Sequence, residues 1–244
     1  MPSEDDFYIG YLPKPSARLG KWLGRITGAI LIGMLAVGLI LAVSQPHFAN
    51  SRFEFGEVRA YAGVIEEWPY PILRTVAGPY LLVAPGKHGL AVGGWQGKTV
   101  QLKGTLTERA ADRMLEALPE SIRDASPKNP GDLLDARMSL GTVTLRGEIV
   151  DSKCYLGVMN PGDGKVHRDC AARCISGGAP PAFVVRDSSG EARVLLLTGA
   201  DGRSMNREVL DYVAEPLEIS GELIRAGTQM VLRAEPSRYR RAGN

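Results

Sequence analysis

The residues with the most distinctive chemistry sit in one stretch. The chain has three cysteines and three histidines, and residues 151–181, DSKCYLGVMNPGDGKVHRDCAARCISGGAPP, hold all of the cysteines and one histidine. If HRDCAARCI is helical and stopped by Gly177 and Gly178, then His167, Cys170 and Cys174 stand at i, i+3 and i+7. At 100° per residue they spread over only about 60° of the helix circumference. Cys154, ahead of a Gly/Pro/Asp-rich turn, then supplies a fourth donor for a tetrahedral site of three thiolates and one imidazole. Such ligands suit Zn(II) or Cu(I), whereas Ca(II) and Mg(II) require oxygen donors. A thioether from Met159 would favour copper, and Lys153, Arg168 and Arg173 would favour the thiolate forms.

The same cysteines admit other uses. Cys154 paired with Cys170 or Cys174 would pin the loop by about 2–4 kcal/mol and leave one spare thiol. A redox or covalently attached cofactor site is the third possibility. The chain has neither CxxCH nor CxxC, so c-type haem attachment and a thioredoxin-like pair lack their motifs.

Other chemistry is poorly represented. GxSxG, HExxH, the P-loop and a GxGxxG after a strand are all missing, which points away from an enzyme, and no catalytic residue is assigned. His47 and His88 read as surface residues. Trp68, Tyr70 and Tyr80 read as core aromatics, with stacking platforms as the alternative. A net charge of +2 with 23% charged residues is ordinary globular composition and names no nucleic-acid partner.

The elements that must position the cysteines show an internal repeat. QLKGTLTERAADRMLEALP from Gln101 aligns without a gap on EISGELIRAGTQMVLRAEP from Glu218. YAGVIEE around Gly63 parallels LRGEIVD around Gly147, and PYLLV from Pro79 parallels PAFVV from Pro181. One supersecondary plan used twice is the expectation. Its alternating apolar runs, bounded by Gly, Pro, Asp and Ser, predict strands, with a short helix in 204–214 between the third and fourth. Five short strands with such a helix predict a mainly β protein of two OB-like barrels; the alternative is a single antiparallel β-sandwich. The expected boundaries are a first repeat at 50–119, a linker at 120–140, a second repeat at 141–237 with its Cys/His insertion at 151–181, and a basic tail at 238–244.

Ahead of these lies ITGAILIGMLAVGLILAV, Ile26–Val43, which carries no charge and is just long enough to span a bilayer, giving a transmembrane helix at 26–44. Lys14, Arg18, Lys21 and Arg25 precede it, and Arg52 alone follows closely. The positive-inside rule therefore puts residues 1–25 in the cytoplasm and the β domains outside a bacterial inner membrane, in the periplasm. A cleaved signal peptide ending near Ala42 and Ser44 is the alternative.

GEIVDSKC from Gly147, then HRDCAARC followed by Gly177 and Gly178, resembles a GxIVDxxC…HxxCAxxC motif of bacterial exported and membrane-anchored proteins. The resemblance covers about thirty residues, implies location and fold style more than activity, and carries over Cys154, His167, Cys170 and Cys174. The sequence thus predicts a membrane-anchored, non-enzymatic module that holds Zn or Cu(I) for a respiratory or metalloenzyme partner at the inner membrane. A disulfide-locked assembly subunit and a thiol redox protein are the alternatives.

Overall fold

The computed structural model describes residues 16–45, 51–125, 137–157 and 159–242. The chain divides into two compact units, Met1–Phe48 and Ala49–Asn244. The first contains α1 (Ala17–Ser44), entered through Ser16, whose Oγ accepts a hydrogen bond from the Leu19 N–H at 3.4 Å. Its 28 residues rise about 42 Å against a hydrocarbon core of roughly 30 Å. None of its side chains is buried, and by length and composition it is able to cross a membrane. The helix starts well before the apolar run and takes in Arg18, Lys21 and Arg25. Lys14 and His47 lie outside the described residues.

The second unit is two closed five-stranded barrels. Barrel one consists of β1 (Arg59–Glu66), β2 (Ile72–Thr75), β3 (Gly78–Ala84), β4 (Thr99–Arg109) and β5 (Asp112–Ala117). Antiparallel pairs β1–β2, β2–β3, β1–β4 and β4–β5 are closed by the parallel pair β3–β5. Barrel two repeats the circuit with β6 (Arg137–Asp151), β7 (Pro181–Arg186), β8 (Ala192–Thr198), β9 (Pro216–Ala226) and β10 (Gln229–Arg233), closed by the parallel pair β8–β10. First–second–third–fifth–fourth is the strand order of an OB-type Greek-key barrel. Each half closes on itself, so the chain does not form the alternative single sandwich.

Period-two patterning explains the closure. Along β4, Val100 and Leu102 point inward while Gln101 and Lys103 face out, as alternate residues of a strand must. Three apolar clusters result. One fills barrel one around Ile65, Leu73, Leu82 and Leu115, and another fills barrel two around Phe183, Leu197, Val213 and Leu232. The third lies between the barrels and takes Tyr70, Ile72, Leu81 and Met114 from one, Val150, Tyr155, Leu196 and Val231 from the other. A buried ion pair, Glu66 with Arg74 at 2.7 Å, extends across the joint to Arg137, also 2.7 Å from Glu66.

The glycines aligned in the sequence have matching surroundings. A Cβ at Gly63 or at Gly147 would lie 2.2 Å from a carbonyl oxygen of the next strand. The alignment of PYLLV with PAFVV is corrected, however. PYLLV lies in the third strand of its barrel and PAFVV in the second of the other. The element hidden ahead of PYLLV is β2, only four residues long and interrupted by the buried Arg74, too short to show alternation. Consequently the first-to-second connection is Glu67–Pro71 in barrel one and Ser152–Pro180 in barrel two.

The helix expected in 204–214 is a single 3₁₀ turn, Leu210–Tyr212, flanked by buried Val209 and Val213. Within the expected linker, Arg123–Asp124 pairs with β4 and β6 already begins at Arg137; residues 126–136 lie outside the described ones. Tyr239–Arg241 of the basic tail pairs with β9. Tyr70 and Tyr80 are 3% and 8% exposed, as core aromatics should be.

Candidate metal centre

The centre is assembled where β6 ends. Asp151, its last residue, is fully buried, and its Oδ1 accepts from the Cys154 N–H at 2.7 Å. That bond caps α2 (Ser152–Leu156) and fixes Cys154 in the first helical turn. Asp151 Oδ2 stands 3.1 Å from His167 Nε2. Both oxygens of one buried carboxylate are thereby committed, one to the backbone of a cysteine and one to the imidazole. Unlike the expectation that His167 continues the helical face, it occupies a 3₁₀ turn, Lys165–His167, ahead of α3 (Arg168–Ser176).

Cys170 and Cys174 lie one turn apart on α3, which stops at Gly177 and Gly178. The Gly177 N–H donates to Arg173 O at 3.0 Å, the Gly178 N–H to Ile175 O at 2.9 Å, and Gly178 has a φ of +102°. Asn206 Nδ2 secures the same end by donating to Ile175 O and Ala179 O, both at 2.8 Å. The glycines also meet barrel one. The Gly89 N–H donates to Gly177 O at 2.9 Å, and a Cβ at Gly177 would come within 1.9 Å of Lys87 O. Only main chain fits at this contact.

Three sulfurs converge as a result. Cys154 Sγ and Cys170 Sγ are 4.0 Å apart, and the sulfurs of Cys154, Cys170 and Cys174 all lie within 4.8 Å of one another. Sulfurs bonded at about 2.3 Å to a shared ion stand about 3.8–4.0 Å apart, so closure around a metal needs less than about 1 Å of movement. His167 does not join all three. It forms a second group with Asp151 and Cys154, whose donor atoms are likewise within 4.8 Å. The four residues singled out in the sequence are therefore gathered as two overlapping sets that share Cys154.

No family model, curated protein or solved structure matches the chain. What the centre can do follows from its geometry and charge.

A hydrogen bond between Cys154 and Cys174 divides the thiols into unlike partners. It holds Cys154 well above the ordinary thiol range, aided by burial and by the Asp151 charge. The same bond, assisted by the charge of Lys87, lowers Cys174. Negative charge is thus favoured on Cys174 while Cys154 keeps its proton. Lys87 Nζ lies 3.0 Å from Cys170 Sγ, and that contact raises its own pKa. A metal displaces the remaining thiol protons on binding, so loading releases acid.

Two of the cations that the sequence pointed to are engaged elsewhere. Lys153 reaches away to barrel one, bonding Ala84 O at 2.8 Å, Gly86 O at 2.6 Å and Glu116 Oε2 at 2.6 Å. Arg168 pairs with Glu215 at 3.2 Å. Lys87 serves instead, from a turn far upstream that no local spacing links to the thiols. Asp151 was also missed, although an Asp three residues before Cys154 has the spacing of a helix cap.

Proposed function

We propose that the chain is a membrane-anchored, non-enzymatic metal-binding module whose Cys154, Cys170 and Cys174 thiolates hold one Zn(II) or Cu(I) ion. The observation that carries this is the mutual approach of three sulfurs from two separate helices, beside a lysine that offsets their charge. Thiolates are the ligands such soft or borderline ions select. His167 and Asp151 hold the start of α2 and keep Cys154 aimed inward. The apolar α1, with Arg18, Lys21 and Arg25 in its first turns, supports an N-terminus in the cytoplasm and barrels in the periplasm of a bacterial inner membrane. In that position the module serves a respiratory or metalloenzyme partner at the same membrane.

Full-length protein in detergent, fully reduced, is expected to retain about one Zn or Cu(I) per chain by elemental analysis. Cys170→Ser is expected to lower affinity at least about 100-fold, measured by competition with a chromophoric chelator. Retention of neither ion would sink the proposal. The 4.0 Å approach of Cys154 and Cys170 also favours a second reading, a thiol–disulfide couple. It requires a reversible disulfide between those two residues in mass-mapped protein, with no stoichiometric metal.

A further inference from the structure

A pocket of about 150 Å³ opens beside Cys154 on the side of barrel one. Its walls include Phe53, Val83, Met114 and Met159, together with Lys153 and Glu116. Three of its residues, Cys154, Met114 and Met159, carry sulfur. Met159 is 47% exposed, whereas Met114 is 1% exposed, so the two methionines grade from solvent inward. The one carboxylate in the wall, Glu116, is held by Lys153 at 2.6 Å and is not a free oxygen donor. The His167 imidazole is engaged with Asp151 and is not part of the wall.

On the reading of the cysteine cluster as a metal site, we infer that this pocket is the loading route for Cu(I), which passes from Met159 to the three thiolates. Thioethers bind Cu(I) well and Zn(II) poorly, and the wall offers Zn(II) no imidazole and one carboxylate, Glu116, paired with Lys153. Moving an ion from water into apolar surroundings costs free energy that rises with the square of its charge, so a monovalent ion crosses such a pocket far more readily than a divalent one. The transfer is a ligand exchange. Copper stays Cu(I), the Met159 thioether leaves, thiolate sulfur takes its place, and each thiol that binds releases its proton to solvent. No electron moves.

The test uses full-length reduced protein in detergent, with Cu(I) supplied as a complex with a chromophoric chelator. Met159→Leu conserves volume at an exposed position and is expected to keep the equilibrium affinity within about threefold while slowing Cu(I) uptake at least about fivefold. Cu(I) should be retained against a roughly tenfold excess of Zn(II), and X-ray absorption at the copper edge should show sulfur ligands only. Displacement of Cu(I) by Zn(II), nitrogen in the copper shell, or wild-type uptake by Met159→Leu would each overturn the copper route while leaving metal binding itself intact. Retention of neither ion by the wild type would overturn both.

Discussion

The connection between the first and second strands is built in opposite ways in the two barrels. In barrel one it is Glu67–Pro71, and its side chains hold the barrels together. The Tyr70 hydroxyl donates to Leu197 O at 2.6 Å, and Trp68 carries Arg137 over its ring at 3.8 Å and Arg233 at 5.9 Å. In barrel two the connection runs from Ser152 to Pro180 and contains every cysteine. One position on one fold thus holds a fastener in the first barrel and a cluster of three sulfurs in the second. A barrel that closes through its own strand pairing leaves this loop free to take on either task.

The sharpest way to break that division is at the backbone contact beneath the cysteines. Gly177→Val places a side chain where Lys87 O already lies; it is expected to destabilise the unit by about 3 kcal/mol in denaturant unfolding and to abolish metal retention. Tyr70→Phe should do less and do it differently. Loss of its bond to the buried Leu197 carbonyl costs about 1–2 kcal/mol of stability, with metal affinity unchanged. A metal-binding loss in Tyr70→Phe would show that the two loops are not separable.

Smaller effects sharpen the electrostatics. Lys87→Met removes the cation that helps lower Cys174, so alkylation of that thiol at pH 7 should slow about threefold to tenfold, read by mass spectrometry. The mildest test concerns the face between the barrels, where burial raises the Asp112 carboxyl to about 6. The native state then holds this proton more tightly than the unfolded chain does. Stability is therefore greatest below the unfolded value near 3.9 and falls by about 1 kcal/mol as pH rises to about 6, after allowance for partial exposure. Unfolding of Asp112→Asn at pH 4 and pH 7 should lack that decrement relative to wild type.

Much of the architecture was legible because barrel strands either alternate or run continuously apolar, and are bounded by Gly, Pro and Asp. Val100–Leu102 shows the first pattern and Val194–Leu197 the second, whereas β2, with four residues and a buried arginine, shows neither. At the centre, the one-turn spacing of Cys170 and Cys174 and the stop at Gly177 and Gly178 could be read directly. The direction of His167 could not, since a 3₁₀ turn breaks the 100° spacing on which the reading rested. Lys87 was illegible for a different reason. It is brought to Cys170 from the opposite barrel, and contacts that depend on docking leave no periodic trace in the chain.

The position of Asp151 at the end of β6 has a consequence for the order of assembly. β6 pairs along most of its length with β9, which follows all three cysteines in the chain. The three thiols are therefore made before the platform beneath them exists. The gathering of the three sulfurs then reports that β9 has been made and that the second barrel has shut.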